Sequence, residues 1–97
     1  MLFALICTDI PDGLDLRMDT RPEHVDHLNG LNEKGILKTA GPFLDDDGNP
    51  CGSLVIIEAD SKHAARRIAD SDPYARAGLF AQIDIRPYNW VFNNPGA

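Results

Sequence analysis

The spacing of hydrophobic residues changes several times along the chain, and each change marks an element. Leu2-Phe3-Ala4-Leu5-Ile6-Cys7-Thr8 is an apolar run closed by Asp9 and Pro11. A short run without alternation suits a strand covered on both faces, so it belongs in the middle of a sheet. Residues 9–19 turn polar around Pro11, Asp12 and Gly13 and read as a loop, with at most a short turn at Leu14–Met18. Thr20-Arg21-Pro22-Glu23 then has the form of a capping box, and proline is well placed in a first helical turn. The residue before a proline avoids helical angles, so Arg21 competes with Thr20 for the cap. From here the period is helical. With His24 at zero, Val25, Leu28 and Leu31 fall at roughly 100°, 40° and 340°, which places His24 inside the apolar stripe and His27 well off it. This helix is expected to reach about Lys34 and to stop at Gly35.

Ile36–Phe43 reads as a second strand, kinked at Gly41-Pro42, and Gly52–Ala59 as a third, rich in β-branched residues. The short link between them makes them antiparallel neighbours. That link, Asp45-Asp46-Asp47-Gly48-Asn49-Pro50, lacks the alternating ligands and final glutamate of a calcium loop and reads as a hairpin turn. Asp60 or Ser61 caps a second helix from Lys62 to about Ser71, with Ala64, Ala65 and Ile68 facing inward. Pro73 ends it by pushing Asp72 out of helical angles. Tyr74–Gly78 is a short turn. In the last strand, Leu79–Pro87, Phe80, Gln82 and Asp84 alternate with Ala81, Ile83 and Ile85. Residues 88–97 form a tail carrying Trp90 and Phe92.

The order βαββαβ predicts an α+β, ferredoxin-like sandwich forming one domain over residues 1–97. Both helices would cover one sheet face. The first and third strands have no clean polar side, so the other face would stay apolar unless a partner covers it. A homodimer packed through the sheet faces is therefore expected.

Charge narrows the partners. Nine Lys and Arg against fifteen Asp and Glu give a net charge of −6, which disfavours nucleic acid and anionic membrane surfaces. No stretch approaches the ~20 apolar residues of a membrane span. The N-terminal run lacks a basic flank and meets Thr8-Asp9 early, so it reads as a strand and not a signal peptide. Cys7 and Cys51 are far apart and form no CxxC motif, which favours a reducing, cytoplasmic setting.

The candidate chemistry lies at element ends. His24 faces the sheet one turn into the first helix, and Asp72 follows the second helix on the same side. An imidazole oriented by a carboxylate suits general acid–base work near neutral pH. Arg17 and Arg21 flank the region and could hold an anionic oxygen of a small-molecule ligand. Ser53 could donate a hydrogen bond, and Tyr74 a phenol or an aromatic wall. Each has a plainer reading: a histidine on an apolar helix face can be a satisfied core residue, and an aspartate before proline a turn-maker. His27 lies three residues from His24, but no third ligand has suitable spacing, so no metal is expected. Arg76, in the turn after Tyr74, could face the pocket or water. No glycine-rich phosphate loop is present, and no cofactor is expected.

Four short motifs occur together: Arg21-Pro22-Glu23-His24, Thr39-Ala40-Gly41-Pro42, Gly52-Ser53, and Ser71-Asp72-Pro73-Tyr74 with Ala77-Gly78-Leu79-Phe80. In this order and spacing they resemble the YciI-like (YCII-related) family, over roughly Met1 to Val91. The resemblance implies a dimeric α/β-barrel and a site centred on His24 and Asp72, with Ser53 as the family's serine. His27 lies outside the pattern, and the loop at 44–51 is shorter than in some members. Some relatives resemble dehydrochlorinases of hydroxylated chloroaromatic breakdown, and the wider group includes muconolactone isomerases and small monooxygenases. The implied activity is cofactor-free proton transfer, of lyase or isomerase type, on a hydroxylated aromatic or lactone-like molecule. The competing expectations are a non-catalytic small-molecule-binding or accessory module, and a purely structural dimer with His24 in its core.

Overall fold

The computed structural model describes residues 1–96. Its elements are β1 (Leu2–Asp9), α1 (Leu14–Glu33), β2 (Leu37–Leu44), β3 (Pro50–Glu58), α2 (Lys62–Asp70), α3 (Pro73–Arg76) and β4 (Phe80–Tyr88). The sheet order is β2-β3-β1-β4 and every neighbouring pair is antiparallel. This is the ferredoxin-like βαββαβ arrangement, with the short α3 added between α2 and β4. No helix of the described residues is long and apolar enough to cross a membrane.

Register decides which residues face the helices. Leu5 lies opposite Val55 on one side and Ile85 on the other, and Phe3 lies opposite Ile57. Those side chains, with Ala65 and Ala69 of α2, form the buried core. Small alanines let α2 lie close on the sheet. Its cap is Ser61, whose hydroxyl accepts the Ala64 N–H at 3.0 Å.

The start of α1 corrects the sequence reading. The helix begins at Leu14, so residues 14–20 are helical and the Thr20–Glu23 capping box caps nothing. Pro22 lies inside the helix, on its exposed side, where solvent can satisfy the carbonyl its ring leaves unbonded. The buried residues of α1 are Arg17, His24 and Leu31. They recur every seventh position, so they share one face of the helix. Two of the three are polar, which is why the hydrophobic pattern misses the first turns.

A second correction concerns β4. Thr8 pairs with Gln82 but Asp9 pairs with Phe80, so Ala81 is left out of register. Such a bulge re-aims side chains locally. It turns Phe80 away from the side of Gln82 and Asp84 and onto the core, where it meets the Tyr74 ring edge-on at 5.8 Å. The turn read at Tyr74–Gly78 is the short helix α3.

The opposite sheet face carries Leu2, Ala4 and Ile6 from β1 beside Leu54 and Ile56 from β3. Ala4 and Ile56 are shielded by their neighbours, while Leu2, Ile6 and Leu54 are half-buried. On the tail, Trp90 is half-buried, and Val91 and Phe92 are exposed. Cys7 is buried, Cys51 is exposed, and both are free thiols.

Candidate functional site

The Asp72-Pro73-Tyr74 sequence builds half of the site by local rules. Proline holds Asp72 extended, at φ −62° and ψ 129°, so its side chain turns back to cap α3. Its Oδ1 accepts the Tyr74 N–H at 2.9 Å. The same carboxylate meets His24 from α1, with Nδ1 2.9 Å from Oδ1 and 3.0 Å from Oδ2. His24 and Asp72 are 8% and 5% exposed, so little water competes for this bond. An ionised carboxylate only accepts, so the Nδ1–H of His24 donates, and in the neutral imidazole Nε2 then carries the lone pair. Nε2 has no hydrogen-bond partner among the described residues. Every fully buried side-chain polar atom there has one, so Nε2 keeps contact with the cavity.

Tyr74 fixes the face of that ring. The imidazole lies on the phenol ring with centroids 3.9 Å apart and planes inclined by 15°. Burial pushes the Tyr74 hydroxyl above its ordinary pKa, with Arg17 and Arg21 pulling back against it.

Arg17 forms the other half. Its Nε and Nη2 donate to the two oxygens of Asp9 at 2.8 and 3.0 Å. Nη2 also reaches the Gly52 carbonyl and the Ser53 hydroxyl, both at 2.8 Å. Its Cζ lies 4.7 Å from the Tyr74 ring centroid, a cation–π distance. Burial works against the Arg17 charge, but the bonds to Asp9 outweigh it and the pKa rises. Gly52 is required here, because a Cβ would lie 2.5 Å from the Cys7 carbonyl oxygen.

Between these halves is a cavity of about 210 Å³. Arg17, Arg21 and His24 reach it from α1, Ser53 from β3, and Tyr74 from α3. Val25, Leu28, Pro42 and Val55 add apolar wall. Arg21 is exposed and makes no hydrogen bond or ion pair among the described residues. Five of the six expected site residues thus line one hollow. The sixth, Asp72, lies behind His24.

Other candidates fall elsewhere. Arg76 is exposed and does not line the cavity. His27 lines a separate groove between α1 and α2 with Lys34 and Arg67, and burial lowers its pKa. Among the described residues no group of three His, Cys, Asp or Glu could hold a metal ion. The Cys7 thiol is pushed up to about 12, first by burial and then by the charges of Asp72 and Asp9, so it stays protonated. Asp9 is the site residue that sequence reasoning passes over, because it reads as a strand terminator. The alternation Leu5, Cys7, Asp9 was the available signal, since it puts the carboxylate on the helix-covered face.

Fold and site together define a class: a ferredoxin-like sandwich with a carboxylate-held histidine at a small cavity between helix and sheet. Comparison with known proteins makes this specific. Residues 1–89 match the YCII-related domain, and the chain belongs to that family. It is 38% identical over 98 residues to Protein YciI of Escherichia coli, covering 95% of this chain and 100% of that one. Among solved structures it is similar to 5-chloro-2-hydroxyhydroquinone dehydrochlorinase (TftG) from Burkholderia phenoliruptrix, in complex with 2,5-dihydroxybenzoquinone. That likeness has 31% identity and a TM-score of 0.83, and covers 97% of this chain and 99% of the other. An antibiotic biosynthesis monooxygenase shares the fold at 14% identity and a TM-score of 0.54.

Proposed function

We propose that the protein is a cofactor-free enzyme in which His24 and Asp72 perform general acid–base chemistry on a small hydroxylated ring or lactone-like molecule. The observation that carries this reading is the two-oxygen grip of Asp72 on His24 Nδ1, which leaves Nε2 toward the cavity. Nε2 takes a proton from the substrate, and Asp72 stabilises the imidazolium that results. Negative charge then gathers on a substrate oxygen. Arg17 and Arg21 stabilise it, Ser53 orients the molecule, and the proton is returned to the product or lost with a leaving group. The likeness to a dehydrochlorinase supports a lyase- or isomerase-type reaction on a hydroxylated aromatic ring.

The working unit in this reading is a cytoplasmic homodimer joined through the open sheet faces, where Ile6 and Leu54 form an apolar ridge. A second reading is a binding module without chemistry. The inert Cys7 thiol favours it, since it gives the buried site no covalent nucleophile.

The test is chloride release from 5-chloro-2-hydroxyhydroquinone by the parent protein and by His24→Asn. Turnover should fall by about 10²–10⁴ in the variant, the usual contribution of a positioned acid–base group. Equal turnover by folded His24→Asn removes His24 from the mechanism. Binding of 2,5-dihydroxybenzoquinone with no turnover of the chlorinated ring favours the binding module.

A further inference from the structure

The first turns of α1 have little apolar hold on the sheet. Between Leu14 and Thr20 the one buried side chain is Arg17; Leu16 is half-buried, and Leu14 and Met18 are exposed. Pro22 then interrupts the hydrogen-bond ladder before His24. This segment nevertheless forms the cavity wall that carries Arg17, Met18 and Arg21. Its anchor is the ion pair to Asp9, whose side chain and that of Arg17 are each 5% exposed.

We propose that Asp9 is a positioning residue for the site. Its two oxygens engage Nε and Nη2 of Arg17, which fixes the plane of the guanidinium. None of the bonds to Asp9, Gly52 and Ser53 uses Nη1, which is the nitrogen left to meet a ligand oxygen. Through Arg17 the same carboxylate holds the first turns of α1 against the sheet, and Arg21 with them. Asparagine at position 9 keeps the shape but offers one accepting oxygen in place of two and leaves the buried cation without a counter-charge.

The proposal rests on the acid–base reading only for its ligand measurement. Asp9→Asn should speed amide hydrogen exchange at residues 14–21 by about tenfold or more, with residues 23–33 changing less than about threefold. The slowly exchanging Arg17 Nε–H resonance of the parent should disappear. The double variant Asp9→Asn with Arg17→Met leaves no buried charge at this contact, so exchange at 14–21 should return to within about threefold of the parent. It should still bind 2,5-dihydroxybenzoquinone about tenfold more weakly, for want of the Nη1 donor. Exchange that rises evenly along the chain in Asp9→Asn, or does not rise, overturns the proposal. So does full-strength quinone binding by the double variant. If the parent does not bind the quinone, the acid–base reading loses its substrate class, and the exchange and Nε–H measurements decide the role of Asp9 alone.

Discussion

The imidazole of His24 lies flat on the phenol ring of Tyr74, with their centroids 3.9 Å apart. Because Asp72 grips the edge of the imidazole and Tyr74 supports its face, one Asp-Pro-Tyr sequence sets both the position and the tilt of a side chain from another helix. The ring has little freedom left, which is what a proton-transfer group needs.

Removing the support should therefore damage stability and site together. Tyr74 is 1% exposed and contacts His24, Phe80 and Arg17. Tyr74→Phe keeps the stack and should cost about 1 kcal/mol or less. Tyr74→Ala leaves a cavity and should cost about 3–5 kcal/mol, read as a lower urea midpoint. Similar losses for the two variants would mean that the hydroxyl, and not the ring, holds this corner.

Alkaline pH should weaken the fold through Cys7. Its thiol goes from an ordinary 9.0 to about 12 in the folded protein, chiefly by burial. Between these values the unfolded chain gives up the proton first, so stability is intact below pH 9 and falls as pH rises toward 12. Tyr74, raised by burial, adds a loss of the same sign at the upper end. Cys7→Ala should show a shallower decline of unfolding free energy above pH 9. Parallel curves for parent and variant would contradict the assignment to this thiol.

Gly52 should tolerate no side chain. A Cβ there meets the Cys7 carbonyl oxygen at 2.5 Å, across the pairing of the two central strands. Gly52→Ala must part β1 from β3 or shift the Gly52 carbonyl that accepts from Arg17. The expected loss is about 1–3 kcal/mol by thermal or urea unfolding. A fully stable variant with unchanged backbone shifts would show that the strands can yield.

The open sheet face gives a prediction about assembly. Sedimentation equilibrium should find twice the 10.6 kDa chain mass at micromolar protein. Leu54→Glu, in the centre of that face opposite Ile6, should give a folded species of single mass. A parent that sediments at single mass would remove the sheet-face dimer.

The sequence by itself determined the order of elements, since strand runs, helical spacing and proline breaks are local properties that survive without a tertiary context. It also placed His24 on an inward face and Asp72 at an element end. Tertiary structure decided what lay between them. The start of α1 depends on a buried arginine tied to a strand-end aspartate, and no hydrophobic period reports an ion pair made across the fold. Phe80 changed faces because a one-residue bulge in pairing with β1 outweighed its own alternation. Asp9, silent as a strand terminator, acquired a role only when folding carried Arg17 to within 2.8 Å of it. A charge buried against its partner depends on where two distant segments meet, and that is written in the packing and not in either segment alone.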